Sequence, residues 1–141
     1  MSGFVRSLTL DEAHALLPLV VDGLNMLRGL LLEERTLRGR IRQAGLAADP
    51  AAPPPLPDQA RLEEVGAQAQ ACLDRIHALG AQVKGVEPFL VDFPAQLDGV
   101  PVLLCWREGE ERITHYHGLD TGFASRKPIA RAQAFGPTVL H

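Results

Sequence analysis

The sequence predicts an α+β fold, a long antiparallel N-terminal helical hairpin packed with a small C-terminal antiparallel β-sheet of about three strands. Three observations predict it. Apolar residues recur at three- and four-residue steps in two separate stretches before Gly80. A connection holding five prolines, 46–57, divides them. From Phe89 onward the pattern changes to short apolar runs punctuated by turn residues. At 141 residues the chain is expected to form one domain, 1–141.

The first helical region spans 9–45. Thr9-Leu10-Asp11-Glu12 matches a capping box, in which the Thr9 hydroxyl takes the Glu12 amide and the Glu12 carboxylate reaches back. Pro18 then either kinks this helix or opens a second one, because it lacks an amide proton. Leu17, Val20, Leu24, Leu27 and Leu31 form a narrow coiled-coil-like seam, continued by Leu37 and Ile41 and stopped at Gly45. The stretch 46–57 reads as a stiff surface connection. A second long helix, 58–80, starts at the capping residue Asp58 and ends at Gly80. Its apolar face carries Leu62, Val65, Ala69, Cys72 or Leu73, Ile76 and Leu79.

The β segment covers 86–128. Phe89-Leu90-Val91 reads as a short strand closed by Asp92-Phe93-Pro94. Val100–Trp106 is almost wholly apolar, which marks a central strand covered on both faces. Glu108-Gly109 is a turn, and Arg112–His117 returns as a third strand. The tail, 129–141, carries little pattern and is expected to be partly mobile.

Bulk properties exclude some functions. A net charge of −3 argues against nucleic acid as the main partner, since a phosphate-binding surface needs a basic excess. Arg28, Arg35, Arg38 and Arg42 lie roughly along one stripe, but Glu33 and Glu34 interrupt it and no aromatic residue interleaves for base stacking. Only Lys84 and Lys127 of the 14 basic residues are lysine, a bias that fits a GC-rich bacterial genome. Cys72 and Cys105 form no CxxC pair and read as buried, reduced thiols. The N-terminus lacks a signal-peptide pattern and the run Leu16–Val21 is too short to span a bilayer. A cytoplasmic location with no membrane partner is expected.

Several motifs follow one another in a fixed order: Leu16-Leu17-Pro18, Val83-Lys84, Leu90-Val91-Asp92-Phe93-Pro94, Leu104-Cys105-Trp106, Gly109-Glu110, Tyr116-His117 and Gly122-Phe123 through Arg126. In this order and spacing the chain resembles the bacterial family known as domain of unknown function 2203. The resemblance implies no particular activity. It favours His117 over His115 as the working histidine. It also implies an acid after that histidine, where this chain has Gly118 with Asp120 as the nearest replacement, and Gly where this chain has Ser125.

Two constellations in the β segment suit chemistry. His115 and His117 are two apart on one strand, so they share a face with Cα atoms about 6.6 Å apart. They suit a divalent metal, zinc, iron or manganese, with Asp92, Glu108, Glu110 or Asp120 as a further ligand. Alternatively, Trp106, Glu110, His117 and Arg126 line a cleft that holds a small anion or planar ligand. The structural alternative makes Trp106 a core residue and Glu110–Arg126 an ion pair stapling a loop. Asp92 suits either a site acid or a turn cap. Cys105, between two apolar residues, is a poor nucleophile because burial raises a thiol's pKa.

Three functions compete. The first is an interaction or regulatory module that forms a homodimer through its helices or a sheet edge, or docks another protein. The second is a metal-binding protein or small metalloenzyme. The third is a small-ligand binder. The first needs the fewest assumptions.

Overall fold

The computed structural model describes residues 7–47 and 56–130. It contains α1 (Leu10–Ala47), α2 (Leu56–Ala78) and five strands, β1 (Gln82–Val86), β2 (Phe89–Leu97), β3 (Val100–Arg107), β4 (His115–Gly118) and β5 (Lys127–Pro128). The strands form one antiparallel sheet in the order β1-β2-β3-β4-β5. The fold is α+β, with five strands where about three were expected. Most of the 46–57 connection and the tail beyond Ala130 lie outside the described residues.

The chain divides into two compact units. One, Gly23–Arg75, is a helical hairpin. Its antiparallel sense is set by contacts that climb one helix while descending the other. Cys72 Sγ meets the Gly23 carbonyl at 3.2 Å, Arg61 clamps Glu33 at 2.7 and 2.8 Å, and Arg40 reaches Asp58 at 2.8 Å. Leu24, Leu27, Leu37, Val65, Ala69 and Cys72 are its buried apolar residues. Gly45 does not end α1, which runs two residues further, and α2 starts two residues before Asp58, within the usual fraying of helix ends.

The other unit joins the chain up to Asp22 with Ile76 onward. The capping box forms as expected, with Glu12 N–H on Thr9 Oγ1 at 3.0 Å and Thr9 N–H on Glu12 Oε1 at 2.9 Å. Pro18 neither ends nor restarts α1, which runs through it from Leu10 to Ala47 with the proline exposed. Leu10–Leu46 is long and apolar enough by length and composition to cross a bilayer, which the short run Leu16–Val21 does not suggest. In the fold Ala13, Leu17 and Val20 are core residues of this unit. Gly80, at φ +105°, lets the chain leave α2, donating to the His77 carbonyl at 2.9 Å.

The sheet departs from expectation in several places, the short β5 among them. Val83-Lys84 belongs to a strand, β1, whose register shifts between Val83 and Gly85. β2 does not close at Asp92-Phe93-Pro94 but continues to Leu97. Pro94 is tolerated because its carbonyl accepts Leu8 N–H at 2.8 Å on the side away from β3, so the missing amide proton is on that side too. The turn lies instead at Asp98-Gly99, with φ of +53° and +80°, the left-handed pair that joins tight hairpins. β4 begins at His115 rather than Arg112.

β3 is the central strand, as its apolar run predicts. Val102 through Trp106 are all buried. Residues paired across the strands share a face. Val91, Phe93, Leu104 and Trp106 fill one side, and Leu90, Asp92, Leu103, Cys105 and His117 occupy the other.

His14 ties α1 to the segment before β4. Its Nε2 accepts Ile113 N–H at 2.9 Å, so Nδ1 carries the proton, buried and with no partner among the described residues. Burial, aided by the charge of Arg112 and opposed by Asp11, holds this imidazole below its ordinary pKa. Its contribution to stability is therefore complete above about pH 6.5, the unfolded value, and is lost as pH falls below it. Denaturant titrations between pH 5 and pH 8 should give His14→Gln a shallower loss at acid pH than the wild type. Parallel curves would exclude this linkage.

Candidate functional site

Three neighbouring strands bring Asp92, Cys105 and His117 together. Asp92 on β2 lies directly opposite Cys105 on β3, and His117 on β4 lies opposite Leu103, one same-face position along. All three are buried, at 3%, 1% and 4% exposure. Their ligating atoms lie within 4.8 Å of one another.

His117 is held by both ring nitrogens. Nδ1 is 2.8 Å from the Gly118 carbonyl, and Nε2 is 3.1 Å from Asp92 Oδ1. A carbonyl only accepts, so Nδ1 carries a proton and Nε2 points at the carboxyl group. A neutral ring of that tautomer facing an ionised carboxylate would set two lone pairs against each other. The pair therefore holds one further proton, on either partner. Burial pushes the Asp92 pKa up, against the opposing pull of His117 and Lys84. Burial also pushes the Cys105 thiol up to about 11, helped by the nearby Asp92 charge and opposed by Arg126.

The cluster forms part of the wall of a cavity of 260 Å³. Lys84, Leu90, Leu103, Leu119, Thr121 and Phe123 supply most of the rest. Lys84 sits at the irregularity in β1, a device that re-aims side chains. Gly118 and Thr121 close a turn after β4, with Gly118 N–H on Thr121 Oγ1 at 3.0 Å. That turn leads to Phe123 on the cavity wall.

The other residues singled out in the sequence fall elsewhere. Trp106 is on the opposite face of β3 from Cys105, buried, with its Nε1–H donating to the Glu110 carbonyl at 2.8 Å. Glu110 grips Arg126 with both oxygens, at 3.2 and 3.0 Å, and its Oε1 accepts Arg107 N–H at 2.7 Å. Burial would raise the Glu110 pKa, but the Arg126 hydrogen bond, the Arg107 amide and the guanidinium charge hold it below the ordinary value. Arg126 also lies over the Phe123 ring at 4.2 Å. This set therefore fastens the loop that carries Phe123, and it touches the cluster through Arg126 and Cys105. His115 shares a face with Cys105 but is half-buried, with Nδ1 at 2.8 Å from Thr114 Oγ1. Glu108 caps the end of β2 through Phe89 N–H at 3.2 Å, and Asp120 is exposed. The acid that meets His117 is Asp92, from a different strand.

Cys105 is the residue that sequence reasoning missed as a ligand. Its apolar neighbours hide it, and only the strand register places it beside Asp92.

The sequence pattern of the family described as "Uncharacterized conserved protein (DUF2203)" matches residues 6–129. The chain belongs to this family. Asp92, Cys105, His117 and every lining residue of the cavity lie within the matched span. No curated protein and no solved structure matches the chain.

Two outcomes are expected of these side chains. His117→Ala should cost about 3–5 kcal/mol in urea unfolding, because it leaves a buried carboxyl without its partner. Combined with Asp92→Asn it should cost clearly less than the two single changes added together, whereas strict additivity would mean the pair is uncoupled. In a Cys72→Ala background, the thiolate absorbance of Cys105 should rise with a midpoint near pH 11. A midpoint near the ordinary cysteine value would mean that the thiol is not buried as described.

Proposed function

We propose that this protein binds a single divalent transition metal ion through Asp92, Cys105 and His117, leaving one position open to the cavity. The observation that carries this reading is the convergence of Oδ, Sγ and Nε2 within 4.8 Å in a buried site. Three features support it. The Nδ1–H of His117 is spent on a backbone carbonyl, the arrangement that fixes a ligating imidazole with Nε2 free for a metal. Asp92 Oδ1 and His117 Nε2 face each other at 3.1 Å, close enough for one cation to contact both. Three protein ligands beside a cavity match an open, tetrahedral site rather than a closed structural one.

The donor set narrows the choice of metal. Thiolate and imidazole together favour zinc or iron and disfavour manganese, which prefers oxygen. Binding requires Cys105 and the Asp92–His117 pair to give up protons, so affinity falls as pH falls. A bound zinc would polarise a ligand or activate water at the open position.

A second reading, self-association through the helical hairpin, rests on Met26 and Leu32, which are 57% and 51% exposed. Light scattering at micromolar concentration tests it, and a monomer mass overturns it.

Elemental mass spectrometry of untagged protein, purified without chelator, tests the metal reading. Near one equivalent of zinc or iron is expected in the wild type and in Cys72→Ser. It should be lost in His117→Ala and Cys105→Ser, with folding verified by circular dichroism. Wild-type protein that stays metal-free after incubation with zinc or ferrous iron would overturn the reading.

A further inference from the structure

We infer that the cavity above this cluster takes a small monoanionic carboxylate with a short apolar tail, its carboxylate lying between the metal's open position and Lys84. This rests on the metal reading above and names the ligand class of that site.

Charge sets the sign of the ligand. A divalent ion held by the Asp92 carboxylate, the Cys105 thiolate and a neutral His117 forms a centre with no net charge. Arg126 also borders Cys105, but its charge is already answered by both oxygens of Glu110. Lys84 lines the cavity and leaves it with one positive charge. A single negative charge on the ligand balances the site. A dianion would overfill it, and a cation would face the ammonium group.

The remaining walls set the rest of the ligand. Leu90, Leu103, Leu119 and Phe123 give apolar surface, and Thr121, whose hydroxyl bonds the Gly118 backbone, adds a neutral polar group. Such a mixture, a few polar anchors on an apolar wall, orients an amphiphilic ligand. Leu119 lines the cavity while remaining 59% exposed, which places the mouth beside it. The volume of 260 Å³ is ample for a short-chain carboxylate.

Isothermal titration calorimetry on zinc-loaded protein, with bound zinc verified by elemental analysis, tests the inference with acetate, butyrate and inorganic phosphate as probes. Butyrate should bind, and tighter than acetate by roughly tenfold, from two further buried methylene groups. Phosphate should bind more weakly than butyrate. Lys84→Met should weaken butyrate by about tenfold, from the loss of a charged hydrogen bond, with its zinc content unchanged. Zinc uptake without butyrate binding, equal butyrate binding by Lys84→Met, or a preference for phosphate would each overturn the ligand class while leaving the metal reading intact. A protein that takes up no zinc would overturn both.

Discussion

The two-residue turn at Asp98-Gly99 pairs Leu97 with Val100, and counting back along the hairpin brings Asp92 opposite Cys105. Everything at the site depends on that register. A slip of one residue would carry Asp92 to the face that holds Phe93 and Leu104, and would take Cys105 away from it. The register is held from several directions. Both central residues of the turn need positive φ, which Asp and Gly supply at little cost. In β2 the apolar Val91 and Phe93 flank Asp92, so only this parity puts both on the face shared with Leu104 and Trp106. The Leu8 amide fastens β2 at Pro94, where no neighbouring strand pairs it on that side.

Once the register is set, the chemistry of the buried side chains is constrained. A carboxyl, a thiol and an imidazole sharing one small space cannot all take their ordinary aqueous charge states. Without a cation the cluster keeps its protons, on the Asp92–His117 pair and on Cys105. With the divalent cation we propose, the same atoms would become ligands and the protons would leave. The site is a poor choice for stability alone, because apolar residues of similar volume would pack there without the desolvation cost. The loop that bounds the cavity is held by Glu110 on Arg126, Arg126 on Phe123 and Trp106 on the Glu110 carbonyl. Trp106 anchors it from the far face of the sheet, while Arg126 also borders Cys105 and so links the loop to the cluster.

Much of the fold was legible in the sequence because its signals are local. The Thr9–Glu12 box, the leucine seam, Gly80 and the apolar run of β3 each act within a few residues. β1 was missed because Gln82–Val86 is half polar and pairs with β2 through an irregular register. The length of β2 was missed because Pro94 looks like a stop, and only the Leu8 contact explains why it is not. At the site, His117 and Asp92 were legible as candidates from residue type and position at strand ends. Cys105 was not, since an apolar neighbourhood argues against reactivity and says nothing about what faces it across the sheet. Trp106 was drawn toward the site by its rarity, but strand parity puts it on the opposite face from Cys105.

Zinc-edge X-ray absorption on the metal-loaded protein tests most directly whether the strand register builds a metal centre from Asp92, Cys105 and His117. The expected first shell holds one sulfur at about 2.3 Å with nitrogen and oxygen scatterers at about 2.0–2.1 Å. The sulfur should vanish in Cys105→Ser and persist in Cys72→Ser. A shell of nitrogen and oxygen alone in the wild type would mean that any bound metal sits elsewhere, and would contradict the assignment of this cluster.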